Sequence, residues 1–553
     1  MQLPPHVNQL NFNTMALLQK YLEVATQVLS NLHLFTPNIP GIETLINIYS
    51  KALSQSMLKP FAMMQCNLAY QTKSLHCLMT ISDQFELIQA LHKEMFIYCD
   101  NIIDNTALED KDRKFLKFFS RQFLHSLAPD NFVHLNPKAL KACIESNFEN
   151  LINGFENLKR DLSNSGNFFS ISNVDKLAFE IGKNIATTPG KVIYKNELIE
   201  LICYAPKGKT FQIPILIVPP CINKYYVLDL SPENSFVNWL IQNNFQVFLI
   251  SWVNPKSPEQ NFEFEQYISK GILAAAKHIE ESFNCPKINL LGYCIGGVML
   301  ASALSFCADK KQDIFSSATF LNTMLDFSDP GEISIFIRDE ILSALRAVAE
   351  QKGYLDGIYL YNIFNLLKSK DLIWSAYINN YIEGNLPKSF DILYWNADYV
   401  NLPAKMFDYY MENMYEKNLL ITPGSLEILG SKIDLGAVLI PSFWVASKSD
   451  HIVPWQQSYK SMSYLGGEKT FCLSSAGHVA GIINPPSQNK YSYQIFDQDK
   501  QLAANIQEQD FHQGSWWGRY LIWLAKHSGK KVAKPLDYDS LSSCQDAPGS
   551  YCL

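Results

Sequence analysis

No two of the twelve cysteines are spaced as Cys-x-x-Cys, and their scatter makes no disulfide framework. Cys66, Cys77, Cys99, Cys143, Cys203 and Cys285 read as ordinary residues, a pattern that fits a reducing cytosol better than a stapled secreted scaffold. An excess of positive charge is also missing: the formal net charge is -7 over 553 residues, which argues against a broad nucleic-acid-binding surface. The chain has no Gly-rich loop of phosphate-cradling type, no nucleotide fingerprint and no metal cluster, so no cofactor or metal is expected. It shows no internal repeat and no low-complexity tract. The N-terminus, Met1-Gln2-Leu3-Pro4-Pro5, lacks the basic-then-apolar order of a signal peptide. One stretch, Ile288 to Ala308, carries no charge and is long enough to cross a bilayer. It contains several glycines and follows the polar turn Asn284-Cys285-Pro286-Lys287. A buried strand followed by a buried helix gives the same hydropathy, and a soluble core without a membrane span is the expectation.

That same stretch holds the most informative pattern in the chain. Ile288-Asn289-Leu290-Leu291-Gly292-Tyr293-Cys294-Ile295-Gly296-Gly297 reads as a buried strand, then Gly-x-Cys-x-Gly, then an apolar helix. This is the nucleophile elbow of an α/β-hydrolase with cysteine in place of serine. The strained turn needs small residues two before and two after the nucleophile; Gly292 and Gly296 meet that demand, and Gly297 loosens the turn further. The fold orders its triad as nucleophile, carboxylate, histidine. Downstream stand Asp450, after Val445-Ala446-Ser447-Lys448-Ser449, and His478, after Ser474-Ser475-Ala476-Gly477. Taken singly, each has a bland alternative: a buried cysteine is a small apolar residue, and most aspartates sit in solvated turns. Together, in the right order and each after a strand-like run, Cys294, Asp450 and His478 point to a catalytic triad.

At this length two domains are expected. Residues 1–185 form a mainly helical N-terminal domain; from about 10 to 160 apolar residues recur three and four apart, as in Phe85, Ile88, Leu91 and Met95, and between Leu140 and Leu158. It is either a plain bundle or a docking and assembly domain. Ser163-Asn164-Ser165-Gly166-Asn167 reads as a linker. Residues 186–553 form the α/β-hydrolase domain. Its strands are a pair from Lys191 to Tyr204, then Ile213 to Val218, Phe245 to Trp252, the elbow strand, Ser317 to Leu325, Ala437 to Ala446 and Lys469 to Ser474. Helices at Phe236 to Gln242 and Phe264 to Phe283 alternate with them, which implies βαβ units and a mainly parallel sheet. The interval 326–431 breaks the rhythm with aromatic, helical patterns such as Tyr354 to Leu366 and Tyr409 to Tyr415. It reads as a cap over the active site, or else as an oligomerisation arm.

Cysteine in the elbow carries chemical information. His478 can activate a thiol as general base, with Asp450 orienting the imidazole and stabilising its cation. The oxyanion needs preorganised donors: the backbone amide of Ile295, and a second from the loop Val218-Pro219-Pro220-Cys221-Ile222-Asn223-Lys224, assigned to the Asn223 neighbourhood. Passing an acyl group between thiols is nearly balanced in energy, so the acyl-enzyme stays activated. Attack by an alcohol then makes an oxoester downhill, whereas serine would form that stable ester one step early. The residues argue for acyl transfer from a thioester to a hydroxyl, with water excluded.

Further blocks carry a family likeness. They are Pro219-Pro220-Cys221-Ile222-Asn223-Lys224-Tyr225-Tyr226 with Leu228-Asp229-Leu230, Ser251-Trp252-Val253-Asn254-Pro255, and Tyr394-Trp395-Asn396-Ala397-Asp398 with Asn401-Leu402-Pro403. Others are Asp450-His451-Ile452-Val453-Pro454-Trp455, Gly477-His478-Val479-Ala480-Gly481 with Asn484-Pro485-Pro486, and Gly514-Ser515-Trp516-Trp517. Upstream lies Ala178-Phe179-Glu180-Ile181-Gly182-Lys183-Asn184. The chain resembles the class I polyhydroxyalkanoate synthases over about 130–553, and more weakly before that. The resemblance implies polymerisation of (R)-3-hydroxyacyl-CoA into storage polyester with release of CoA. Cys294 then carries the acyl chain, His478 is the base and Asp450 the third member; His451 stays outside the triad. The box from Gly292 to Gly297 is similar to the short-chain class, implying 3-hydroxybutyryl-CoA as substrate. The resemblance also implies a homodimer, a cytoplasmic location at the surface of polymer granules, and granule-coating proteins as partners. The first hundred residues depart most from the family; in relatives that region serves activity, dimerisation and granule attachment. Two other readings stand beside this one: a cysteine thioesterase or polyester depolymerase of the same fold, and an inactive granule scaffold, which has no need of a complete triad.

Overall fold

The computed structural model describes residues 42–56, 59–165, 171–285, 287–497, 511–533 and 538–553. The N-terminal pentapeptide, the helical reading of 10–41, Gly166 and Asn167 of the linker, and Pro286 lie outside the described residues. The chain divides into two compact units. Of the described residues, the first holds those up to 156 with 338–345 and 381–384, and the second the remainder.

The N-terminal helices are α1 (Ile42–Ser56), α2 (Pro60–Thr80), α3 (Gln84–Asp104), α4 (Asp110–Ser126), α5 (Pro137–Glu145) and α6 (Glu149–Ser165). Local chemistry sets their ends. Asp83 caps α3 by accepting the Glu86 N–H at 2.8 Å, and Asn136 caps α5 just before Pro137, which needs no donor at the first helical position. Phe85, Ile88, Leu91 and Met95 share the half-buried face of α3, as their spacing predicts. The reading of one helical stretch from Leu140 to Leu158 needs correction. Asn147 and Phe148 take positive φ values of 50° and 66°, which an α-helix cannot contain, so α5 and α6 are separate. Ser163, Asn164 and Ser165 belong to α6, because no residue there breaks a helix. Two short pieces of the 326–431 interval fold with these helices: Arg338 pairs with Asp112 at 2.9 Å and lies over the Phe115 ring, and Asn150 donates to the Ile382 carbonyl.

The second unit is built on a ten-stranded sheet. Its elements are β1 (Gly190–Lys195), β2 (Ile199–Tyr204), β3 (Ile215–Val218), α7 (Phe236–Gln242), β4 (Val247–Trp252), α8 (Ala274–Phe283), β5 (Ile288–Tyr293), α9 (Ile295–Asp309) and β6 (Phe315–Leu321). After the inserted interval come β7 (Ser442–Ser447), α10 (Trp455–Met462), β8 (Lys469–Ser474), β9 (Ser492–Asp497), β10 (His512–Gln513) and α11 (Trp517–Lys526). Spatial order is β1-β2-β4-β3-β5-β6-β7-β8-β9-β10, with β4 through β8 parallel and the outer strands antiparallel. This is the α/β-hydrolase fold, with a mainly parallel sheet as the alternation of elements predicts. The β3 and β5 strands are buried at every position because helices cover both faces of a parallel sheet. Asn289, the polar exception on β5, is satisfied by Ser317 and Ser528 hydroxyls. Most of α9 is buried, which accounts for its membrane-like hydropathy; among the described residues no helix is long and apolar enough to cross a membrane.

Several element ends differ from the expected ones. β6 stops at Leu321, not Leu325, because Asn322 turns the chain at φ 40°. β7 starts at Ser442, since Leu435–Ala437 is a 3-10 turn. Tyr354 and Leu355 pair as a short strand with Leu402 and Pro403, so the helix after them begins at Gly357.

The C-terminal tail seals the antiparallel edge. The Val192 N–H donates to Gln545 O at 2.8 Å, and the Ala547 N–H donates to Gly190 O at 2.9 Å. Glu200, fully buried on β2, accepts the Ser550 and Tyr551 amides at 2.8 and 2.9 Å, with Lys195 at 2.7 Å. Burial would raise its carboxyl, but Lys195 and the tail donors outweigh that and hold it below the usual range. Glu200→Gln converts charge-assisted bonds to neutral ones and is expected to cost about 2 kcal/mol, read from the urea unfolding midpoint.

Candidate active site

Cys294 stands between β5 and α9 with φ 53° and ψ -123°, a conformation that costs a non-glycine residue energy and is held by its surroundings. Its N–H donates to Leu321 O at 2.9 Å, and its carbonyl accepts from the Gly297 N–H at 2.9 Å and the Thr323 hydroxyl at 3.2 Å. The glycines are demanded by contact. A Cβ on Gly292 would lie 2.6 Å from the Gly297 Cα, and one on Gly296 would lie 2.2 Å from Val218 O. Gly297 does more than loosen the turn, because a Cβ there would meet the Thr323 hydroxyl at 2.1 Å. Gly296→Ala must therefore push β3 away from the elbow. CoA-release activity is expected to fall by ~100-fold or more, against destabilisation of only about 1–3 kcal/mol.

The three residues singled out in the sequence come together at the C-terminal edge of the sheet. His478, in the loop after β8, bonds through Nδ1 to Asp450 Oδ2 at 2.6 Å. Asp450, in the loop after β7, has a fully buried side chain, and its other oxygen accepts the Ile452 and Val453 amides at 2.8 and 3.0 Å. His478 also neighbours Cys294. Burial lowers the imidazolium's pKa, but the Asp450 carboxylate and then Cys294 outweigh it, and the net shift is upward. The ring is fixed from behind: Tyr293 stacks on it at 5.5 Å, while the Tyr293 hydroxyl and the Asn322 amide both donate to His478 O, at 3.0 and 2.5 Å. His451 is pushed down to about 4 by burial, with Asp450 opposing, and its buried Nδ1 has no hydrogen-bond partner. It stays neutral at physiological pH and takes no part in the constellation.

Ile295 opens α9, where the first amides of a helix have no intrahelical partner. The Asn223 backbone lies in an antiparallel bridge with Tyr399 of the inserted interval. Because β3 ends at Val218 and Pro219 and Pro220 have no N–H, the first amide after that strand belongs to Cys221. The two prolines are a signal in the sequence that position in the loop alone does not weigh. Phe327, Tyr410 and Tyr415 of the inserted interval were not singled out by the motifs. Their rings pack at 4.8–5.8 Å, and Tyr410 and Tyr415 both lie near Cys294. Long-range packing brings them there.

The Poly-beta-hydroxybutyrate polymerase (PhaC) N-terminus family matches residues 54–240, and the alpha/beta hydrolase fold family matches 214–485. The Cupriavidus necator Poly(3-hydroxyalkanoate) polymerase subunit PhaC is 37% identical over 464 residues, which cover 81% of this chain and 77% of that protein. The Ectopseudomonas oleovorans Poly(3-hydroxyalkanoate) polymerase 2 is 36% identical over 463 residues, covering 82% and 80% respectively. The chain belongs to the poly(3-hydroxyalkanoate) polymerase family. The match begins at residue 54, further upstream than the motif blocks reach.

Several blocks that carry the polymerase likeness brace the site. The Trp252 indole donates to Pro219 O at 3.0 Å, fixing the loop beside the elbow. Trp516 and Trp517 donate to the carbonyls of Gly481 and Ile482, both at 2.8 Å, just after His478. Lys224 and Tyr226 both bind Asp398, and Trp395 donates to Lys224 O at 2.7 Å, so two blocks distant in sequence are one polar cluster. Asn401 does the same for Asn254 and Pro255.

Proposed function

We propose that the chain is an acyltransferase that polymerises (R)-3-hydroxyacyl groups from CoA thioesters, with short-chain 3-hydroxybutyryl-CoA as the preferred substrate and free CoA as co-product. The observation that carries the reading is the Cys294, His478 and Asp450 cluster at a strained elbow in a polymerase-family chain. Cys294 attacks the thioester carbonyl, and the amides of Ile295 and of the loop from Cys221 to Asn223 receive the oxyanion. CoA leaves with a proton from His478, which next takes the proton of the 3-hydroxyl attacking the acyl-enzyme. Asp450 keeps the imidazole in its tautomer throughout. The preference for a short acyl chain rests on the likeness of the box from Gly292 to Gly297 to the short-chain class. No cofactor beyond the thioester enters this scheme. The 326–431 interval serves as a cap, bringing Tyr410 and Tyr415 to the thiol and reducing hydrolysis. The N-terminal helical domain serves assembly of a homodimer and attachment to polymer granules in the cytoplasm.

The test is CoA release from (R)-3-hydroxybutyryl-CoA with turbidity recorded in parallel. Release with rising turbidity is the expected result. Release that yields only soluble 3-hydroxybutyrate would make the chain a thioesterase instead.

A further inference from the structure

We propose that Cys221 is a resolving thiol for Cys294, so that a peroxide joins the two as a disulfide and shuts the site reversibly. The inference rests on the reading of Cys294 as nucleophile and adds a modification of that same site. β3 and β5 are parallel neighbours in which Val218 pairs with Gly292. Cys221 and Cys294 follow these paired residues by three and two positions, at the same edge of the sheet. The first turn of α9 touches the β3 end so closely that a Cβ on Gly296 would meet Val218 O at 2.2 Å and Pro219 O at 2.8 Å. A disulfide spans a Cα separation of roughly 4.4–6.8 Å, and both cysteines lie just past the ends of strands that run about 4.8 Å apart. The two thiols also share a neighbour, Tyr410, and lie near each other.

The pair is asymmetric in the way such a device needs. Cys294 is the less buried of the two and lies beside His478 at the N-terminus of α9. Cys221 is buried, and burial pushes its thiol well up, so at rest it stays protonated and does not compete as nucleophile. The Cys294 thiolate attacks one peroxide oxygen, the O–O bond breaks, and the leaving oxygen takes the His478 proton; for hydrogen peroxide this leaves a sulfenic acid and one water. Cys221 sulfur then attacks the Cys294 sulfur, the S–O bond breaks, and the departing hydroxide takes the Cys221 proton as a second water. Two thiol sulfurs are oxidised by two electrons and the peroxide is reduced.

The full-length protein is treated with hydrogen peroxide, alkylated and mapped without reduction by mass spectrometry, with CoA release compared to each protein's own untreated rate. Wild type is expected to give a Cys221–Cys294 linked peptide, to lose about tenfold or more in rate, and to recover within about twofold on dithiothreitol. Cys221→Ser is expected to lose as much but to recover less than about a tenth, because an unresolved sulfenic acid proceeds to sulfinic acid. Absence of the linked peptide in wild type, a measurement independent of how the variant folds, would overturn the inference, as would equal recovery of both proteins. Continued turnover by Cys294→Ala would overturn the catalytic reading instead, and with it the basis for the switch.

Discussion

Cys294→Ala is expected to lower CoA release from (R)-3-hydroxybutyryl-CoA by ~10⁴-fold or more, while stability stays within about 1 kcal/mol of wild type. The two halves of that expectation come from different parts of the elbow. Stability rests on the backbone: the Leu321, Gly297 and Thr323 bonds use the N–H and carbonyl of residue 294, and alanine keeps both. Activity rests on the sulfur, which lies beside His478 at the end of β5. Cys294→Ser separates two further effects. A hydroxyl is harder to ionise than a thiol, and the oxoester it forms no longer holds the acyl group in activated form. A rate below ~10⁻² of wild type is therefore expected even though the side chain is nearly isosteric. A thiol-reactive CoA assay alongside a urea melt measures both halves.

Asp450→Asn is expected to reduce turnover by ~10³–10⁴-fold, since an amide neither stabilises the imidazolium nor enforces the tautomer that Nδ1–H donation requires. It also has a signature in stability. Folding raises the His478 pKa from 6.5 to about 10; burial opposes the rise, and Asp450 and Cys294 overcome it. Between those values the folded protein holds a proton that the unfolded chain has released. The group's stabilisation is thus complete below pH about 6.5 and is lost as pH rises toward about 10. Without the carboxylate, burial favours neutral imidazole, and the loss of stability across that window shrinks or reverses sign. Urea midpoints of wild type and variant taken through this range give the comparison; parallel slopes would show that Asp450 does not govern His478.

The site was largely legible because its demands are local. A strained elbow requires glycines at 292 and 296 whatever surrounds it, and β3 and β5 are aliphatic enough to declare themselves as buried strands. The order of Cys294, Asp450 and His478 then follows from the fold. What stayed hidden depends on partners far along the chain. β6 ends at Leu321 because Asn322 turns to donate to His478 O, 156 residues away, so the apolar run to Leu325 misleads. Glu200 reads as an ordinary charged residue in a strand; its role comes from Ser550 and Tyr551 in a polar tail without periodicity. The outer antiparallel strands are equally weak signals, β9 being mixed in polarity and β10 only two residues long. The second oxyanion donor falls between these cases. Loop position points to the Asn223 neighbourhood, and only the end of β3 at Val218 shows that Cys221 holds the first amide of that loop.

The most direct measurement is of the acyl group itself. The enzyme is mixed with (R)-3-hydroxybutyryl-CoA, quenched in acid during steady turnover, digested, and the Cys294 peptide weighed by mass spectrometry. The account predicts one or more hydroxybutyryl units on that peptide, removed by hydroxylamine as a thioester is. Unmodified Cys294 during rapid CoA release, or the acyl group on another side chain, would contradict it.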